Sequence, residues 1–82
     1  MSHTLHELHD EFPDDRALLH ELKLSDAHFQ RLSEEYHEIN RTIHRIEAEA
    51  EHASDERLED LKKQRLARLD DISEILSRAK AA

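Results

Sequence analysis

The chain has 82 residues, with no glycine, no cysteine, no tryptophan and one proline; aromatic residues make up 4% of it. Each shortage excludes something. Without cysteine there is no disulfide framework and no thiol chemistry. Sheet proteins reverse their strands on glycine-bearing turns, because glycine reaches positive φ at no steric cost. A chain with none reads as all-α. No apolar run approaches the roughly 20 residues that cross a bilayer. The opening stretch, MSHTLHELHDEF, has neither the basic nor the apolar region of a secretory signal. A soluble, cytoplasmic protein without membrane attachment is expected. The length leaves room for one small domain.

What the chain has is charge. Asp, Glu, Lys and Arg make up 39% of it, and the net charge is −8 with histidines neutral. That balance argues against a general binder of nucleic acid or of anionic membranes. A composition rich in Ala, Glu, Lys, Leu and Arg reads as long helix or coiled coil.

Four helical segments follow from the pattern. Thr4 with Glu7 three residues on is a capping box, and Leu5, Leu8 and Phe12 share one face behind it. Pro13 suits the first turn of a second helix, where its missing N–H costs nothing. Leu18, Leu19 and Leu22 give that helix its apolar stripe. Ser25 or Asp26 is placed to cap a third helix. In it Phe29, Leu32, Tyr36, Ile39, Ile43, Ile46 and Ala50 recur at alternating spacings of three and four, an unbroken heptad seam.

The seam changes phase after Ala50. Continued, it would pass through Ala53, Arg57, Asp60, Gln64 and Ala67, largely polar positions, whereas the apolar residues resume at Leu58, Leu61, Leu66, Leu69, Ile72, Ile75, Leu76 and Ala79. Ser54 is a good N-cap, with Asp55 and Glu56 favouring the first turn behind it. The chain is therefore expected to reverse near 52–54. Folding it about Ser54 pairs Ala50 with Leu58, Ile39 with Leu69, Tyr36 with Ile72, Leu32 with Leu76 and Phe29 with Ala79. Two layers break the pattern: Ile46 faces Lys62, and Ile43 faces Arg65. There the long aliphatic stems of Lys62 and Arg65 can cover the isoleucines while the charges reach water.

The expected architecture is an all-α, coiled-coil-like antiparallel helical hairpin preceded by two short N-terminal helices. Residues 1–24 form the N-terminal arm and 25–82 the hairpin, whose helices run over 26–52 and 55–79. The apolar residues of the second arm spread over half its circumference, more than one facing helix covers. Leu61, Leu66 and Ile75 are thus expected to meet another partner: the N-terminal helices, another copy or a client protein.

The stretches FQRLSEEYHEINRTIHRIE and LEDLKKQRLARLDDISEIL, joined by a short polar turn, resemble the YdcH-type small bacterial proteins, a family of unknown function. The family's second arm carries a Leu, two Lys, a basic residue, Leu, then Leu-Lys-Asp-Glu-Ile. Leu61, Lys62, Lys63, Arg65, Leu66, Leu69, Asp71 and Ile72 match it in order. Ala67, Arg68 and Asp70 depart from it. FPDDRALLHELK, residues 12–23, is similar to the family's N-terminal segment. The resemblance spans residues 12–78. It implies a short helical hairpin in the bacterial cytoplasm, and it implies no activity and no catalytic residue.

Other constellations carry weaker chemistry. The chain has eight histidines. His3, His6 and His9 are spaced by three, and His3/Glu7 and His6/Asp10 are i,i+4 pairs. A tight metal site needs a third and fourth ligand, so no metal or other cofactor is expected. His37 and His44 read as an exposed stripe. Lys62, Lys63, Arg65 and Arg68 form the basic cluster KKQRLAR. They suit phosphate contacts with nucleic acid, or they complement the acidic first arm and turn. Carboxylates abound, but a paired acid and base need a concave, partly dry pocket, and a thin hairpin offers none.

No catalysis and no small-molecule substrate are therefore expected. The expected function is a helical protein–protein interaction module that self-associates as a homo-oligomer and can dock a client. The alternative is a nucleic-acid-associated regulator acting through Lys62, Lys63, Arg65 and Arg68.

Overall fold

A computed structural model describes residues 8–81. The element order is α1 (Leu8–Glu11), a 3₁₀ turn (Pro13–Asp15), α2 (Arg16–Ser25), α3 (Ala27–Glu47) and α4 (Asp55–Ala81). No strand occurs among the described residues. The capping box at Thr4–Glu7 lies outside them. The long arms α3 and α4 pack against each other as an antiparallel hairpin, and α2 packs on α3. The molecule extends 43 × 28 × 18 Å. A single helix from Ala27 to Ala81 would be about 80 Å long at 1.5 Å per residue, so the long axis alone excludes a continuous rod.

Local chemistry sets each boundary. Pro13 opens the 3₁₀ turn rather than a helix, and α2 begins three residues later. Asp26, extended at φ −127° and ψ 106°, is the single residue between α2 and α3. Its Oδ1 accepts from the Phe29 N–H at 3.1 Å, so Asp26, not Ser25, is the cap. Ser25 instead donates to the Glu21 carbonyl. Ser54 caps α4 as its type predicts, accepting from the Arg57 N–H at 3.1 Å.

The first arm ends at Glu47, five residues short of the expected 52. The Glu49 N–H donates to the Ile46 carbonyl at 3.1 Å, and the Ala50 N–H reaches back to the Arg45 carbonyl at 2.9 Å. These are the paired bonds of a Schellman cap, with Glu49 at φ 60° in the left-handed position. The chain turns without glycine by placing a glutamate where glycine is usual. Arg45 then holds Glu51 at 3.2 Å across the turn. The helix ends lie symmetrically about Glu51 rather than Ser54, and Ala50 is exposed in the turn instead of facing Leu58.

The core sits at the end of the hairpin away from that turn. Leu8, Leu19, Phe29, Leu32, Tyr36, Ile72 and Leu76 form one buried cluster, with Phe12, Leu18, Leu22, Leu69 and Ile75 packed against it. The N-terminal helices thus fold back on their own hairpin. Along α3 the buried stripe includes Ser33 and Asn40, while Ile39 and Ile46 are only half-buried. Neighbours on two sides of α3 broaden its buried face by one position beyond the heptad seam.

Candidate interaction surface

Among residues 61–75 of α4, the structure separates three apolar residues that the pattern groups together. Leu61 is 7% exposed and belongs to the inside of the hairpin. Ile75 packs against the core cluster and lines a concavity with Leu22, so it is covered from the α2 side. Leu66 remains 59% exposed. The expectation of one surface made by Leu61, Leu66 and Ile75 is corrected to Leu66 alone. Five residues of helix turn a side chain by about 140°, so Leu61 and Leu66 cannot share a face.

Leu66 edges a groove of about 450 Å³. Leu69 and Tyr36 supply its apolar surface, Lys62 and Arg65 one rim, and Glu11 of α1 another part of the lining. The sequence reading missed Glu11, Tyr36 and Leu69 as members of this site. Only Leu69 carried a visible signal, one turn beyond Leu66 on the same helix.

The basic cluster is largely engaged within the chain. Lys62 Nζ lies 3.2 Å from Glu47, and Arg68 Nε lies 3.2 Å from Glu35 and its Nη1 3.3 Å from Asp71. Arg65 Nη1 donates to Asn40 Oδ1 at 2.9 Å. Asn40 is itself buried, and this bond forms a polar layer across the hairpin. Beyond it, towards the turn, Ile43 and Leu61 are buried outside the main cluster. The ends of Lys62 and Arg65 therefore reach polar partners on the first arm. Lys63 is exposed.

The histidines divide. His3 and His6 lie outside the described residues. His9 is near Asp10, at 3.6 Å. His37 and His44 are half-buried rather than exposed, and the ring of His37 meets Tyr36 edge-on at 5.6 Å. Among the described residues no group of three His, Asp or Glu is disposed to hold a metal ion, and no helix is long and apolar enough to cross a membrane.

The family model described as "Protein of unknown function (DUF465)" matches residues 29–76, most of both hairpin arms. The match agrees with the YdcH-like resemblance of those arms, and residues 12–23 fall outside it. Comparison with curated proteins gave no match, and neither did comparison with solved structures.

Proposed function

We propose that this chain, which belongs to the DUF465 family of proteins of unknown function, is a protein–protein interaction module of the cytoplasm that associates with itself through the outer face of α4 and has no catalytic activity. The observation that carries the reading is Leu66, a large apolar side chain left 59% exposed beside a groove that contains Leu69 and Tyr36.

Charge supports a second copy as the occupant. The exposed Lys63 precedes Leu66 by about one helical turn, and the exposed Asp70 follows it by one turn. When two α4 helices cross antiparallel at Leu66, Lys63 of each comes opposite Asp70 of the other. The stripe is self-complementary, as a two-fold interface requires. Its apolar centre is small. One leucine contributes about 1.5–3 kcal/mol on full burial, and exposed ion pairs add up to about 1 kcal/mol each. Against the cost of association this yields a Kd above about 1 μM. An assembly that forms and dissolves with concentration suits a module rather than a permanent subunit.

Sedimentation velocity over a concentration series tests the reading. The parent should associate as concentration rises, and Leu66→Glu should remain a monomer, because a charge would have to be desolvated at the interface centre. Lys63→Asp and Asp70→Lys should each weaken association, and the two together should restore it. A parent that stays monomeric at millimolar concentration would overturn the proposal. A salt-sensitive band shift with generic DNA would instead assign the lysines and arginines of the cluster to nucleic acid.

A further inference from the structure

A second concavity, of about 240 Å³, opens between α1, α2 and α3. Leu8 and Leu19 give it an apolar base, and its remaining described lining is His9, Arg16, His20, Lys23 and His37. We propose that this cleft binds a small oxyanion: a free phosphate, or the phosphoryl group of a small phosphate ester.

The first argument is sign. The chain carries a net charge of −8, yet the described lining of this cleft contains no carboxylate. The second is spacing. Arg16, His20 and Lys23 stand at i, i+4 and i+7, on one face of α2. Their donors are thereby presented to one side of the helix, where a single anion can meet all three.

The third argument is the treatment of cations elsewhere. Arg41, Arg45, Arg68 and Arg78 each end on a carboxylate, whereas Arg31, Arg57 and Lys63 stand alone at exposed positions without forming a cluster. Among the described residues Arg16, His20 and Lys23 have no hydrogen-bond or ion-pair partner. Asp10 stands beside His9 at 3.6 Å. Glu38, which borders His37 from the next concavity together with Glu34, is taken by Arg41 at 2.7 Å. The hydrogen bond from Arg41, and then its charge, hold the Glu38 carboxyl below the ordinary carboxylate range.

Size selects the ligand. Pockets for drug-sized molecules run from about 300 to 1,000 Å³, and this cleft is smaller. Its donors suit tetrahedral oxygens: the arginine fork can grip two of them, the lysine supplies a mobile point charge, and imidazole N–H groups supply directed bonds.

The test is an NMR titration of the full ¹⁵N-labelled chain with inorganic phosphate at pH 6.5, with chloride adjusted to hold ionic strength constant. Saturable shifts should concentrate at residues 16–23, His9 and His37. Arg16→Gln and Lys23→Gln should each weaken binding by about tenfold or more, the scale of one charge-assisted hydrogen bond. Both side chains are exposed, so the helical circular dichroism should not change. Arg57→Gln, at an exposed position of α4, should leave the affinity as it is. Glycerol 3-phosphate binding more tightly than phosphate identifies an ester as the ligand; equal or weaker binding identifies the free anion. Shifts that rise linearly with phosphate, that spread over the other cationic residues, or that survive both substitutions overturn the proposal.

Discussion

Leu61 and Leu66 are chemically the same side chain on the same helix, and their surroundings give them opposite duties. Leu61 is buried towards the turn end of the hairpin, whereas Leu66 stands mostly in water. Leu61→Ala should therefore cost about 2–4 kcal/mol, by lost burial and the cavity left behind. Leu66→Ala should change stability by less than about 0.5 kcal/mol. Urea unfolding at concentrations too low for association measures both, and equal losses would contradict the placement. The sequence shows that both leucines lie in one wide apolar arc. It does not show which edge of the arc turns inward, because that depends on the register between the arms. Asn40 and Arg65 mark the register here. In sequence Arg65 broke the layer pattern; in the fold it donates to the buried Asn40. The bond adds little net stability, but sliding of the arms would break it at a buried amide, which is costly. The layer specifies alignment more than it stabilises.

At the scale of the element, the turn shows what the composition imposes. A non-glycine residue in the left-handed region costs about 1–2 kcal/mol, and Glu49 carries that cost because the chain has no glycine to place there. Glu49→Gly should raise stability by up to about 1 kcal/mol, since glycine's greater freedom in the unfolded chain offsets part of the relief. Thermal unfolding followed by circular dichroism checks this; a lowered midpoint would show that the Glu49 side chain contributes more than its strain removes. The two arms, the reversal between them and the caps at Asp26 and Ser54 were legible in residue type and periodicity. The end of α3 was not. Ile46 and Ala50 continue the seam in sequence, and nothing local distinguishes a glutamate about to adopt positive φ from one in mid-helix. The inward folding of α1 and α2 was equally hidden, for it rests on long-range packing of Leu8 and Leu19 against Phe29 and Ile72. The ion pair between Lys80 and Asp15, at 3.1 Å, ties the same two ends of the chain together.

For the whole molecule, charge decides how copies meet. Eight histidines stand against a net charge of −8, so protonating all of them brings the formal charge to −8 + 8 = 0. Histidine is the side-chain type whose charge changes across the pH range from about 8 to 5. Repulsion between copies should fall in the same window. Light scattering from pH 8 to 5 at fixed ionic strength should rise there; flat scattering would show that histidine charge does not govern association. The groove at Leu66 was legible only in its α4 residues, Lys62, Arg65, Leu66 and Leu69. Tyr36 and Glu11 enter it from elements whose positions relative to α4 are set by tertiary packing, and no spacing in the chain announces that.

The polar layer at Asn40 and Arg65 also divides the hairpin in time. On one side four helices contribute to the large cluster around Phe29 and Ile72; on the other, two bare helices hold little more than Ile43 and Leu61. Local opening follows the density of buried contacts. In native-state hydrogen exchange, amides near Ile43 and Leu61 should exchange through a partial opening of low free energy, while those near Leu32 and Ile72 wait for global unfolding. Uniform protection along both arms would refute this. With unequal protection, the hairpin breathes at the end where its arms are covalently joined and stays shut at the end where they are free.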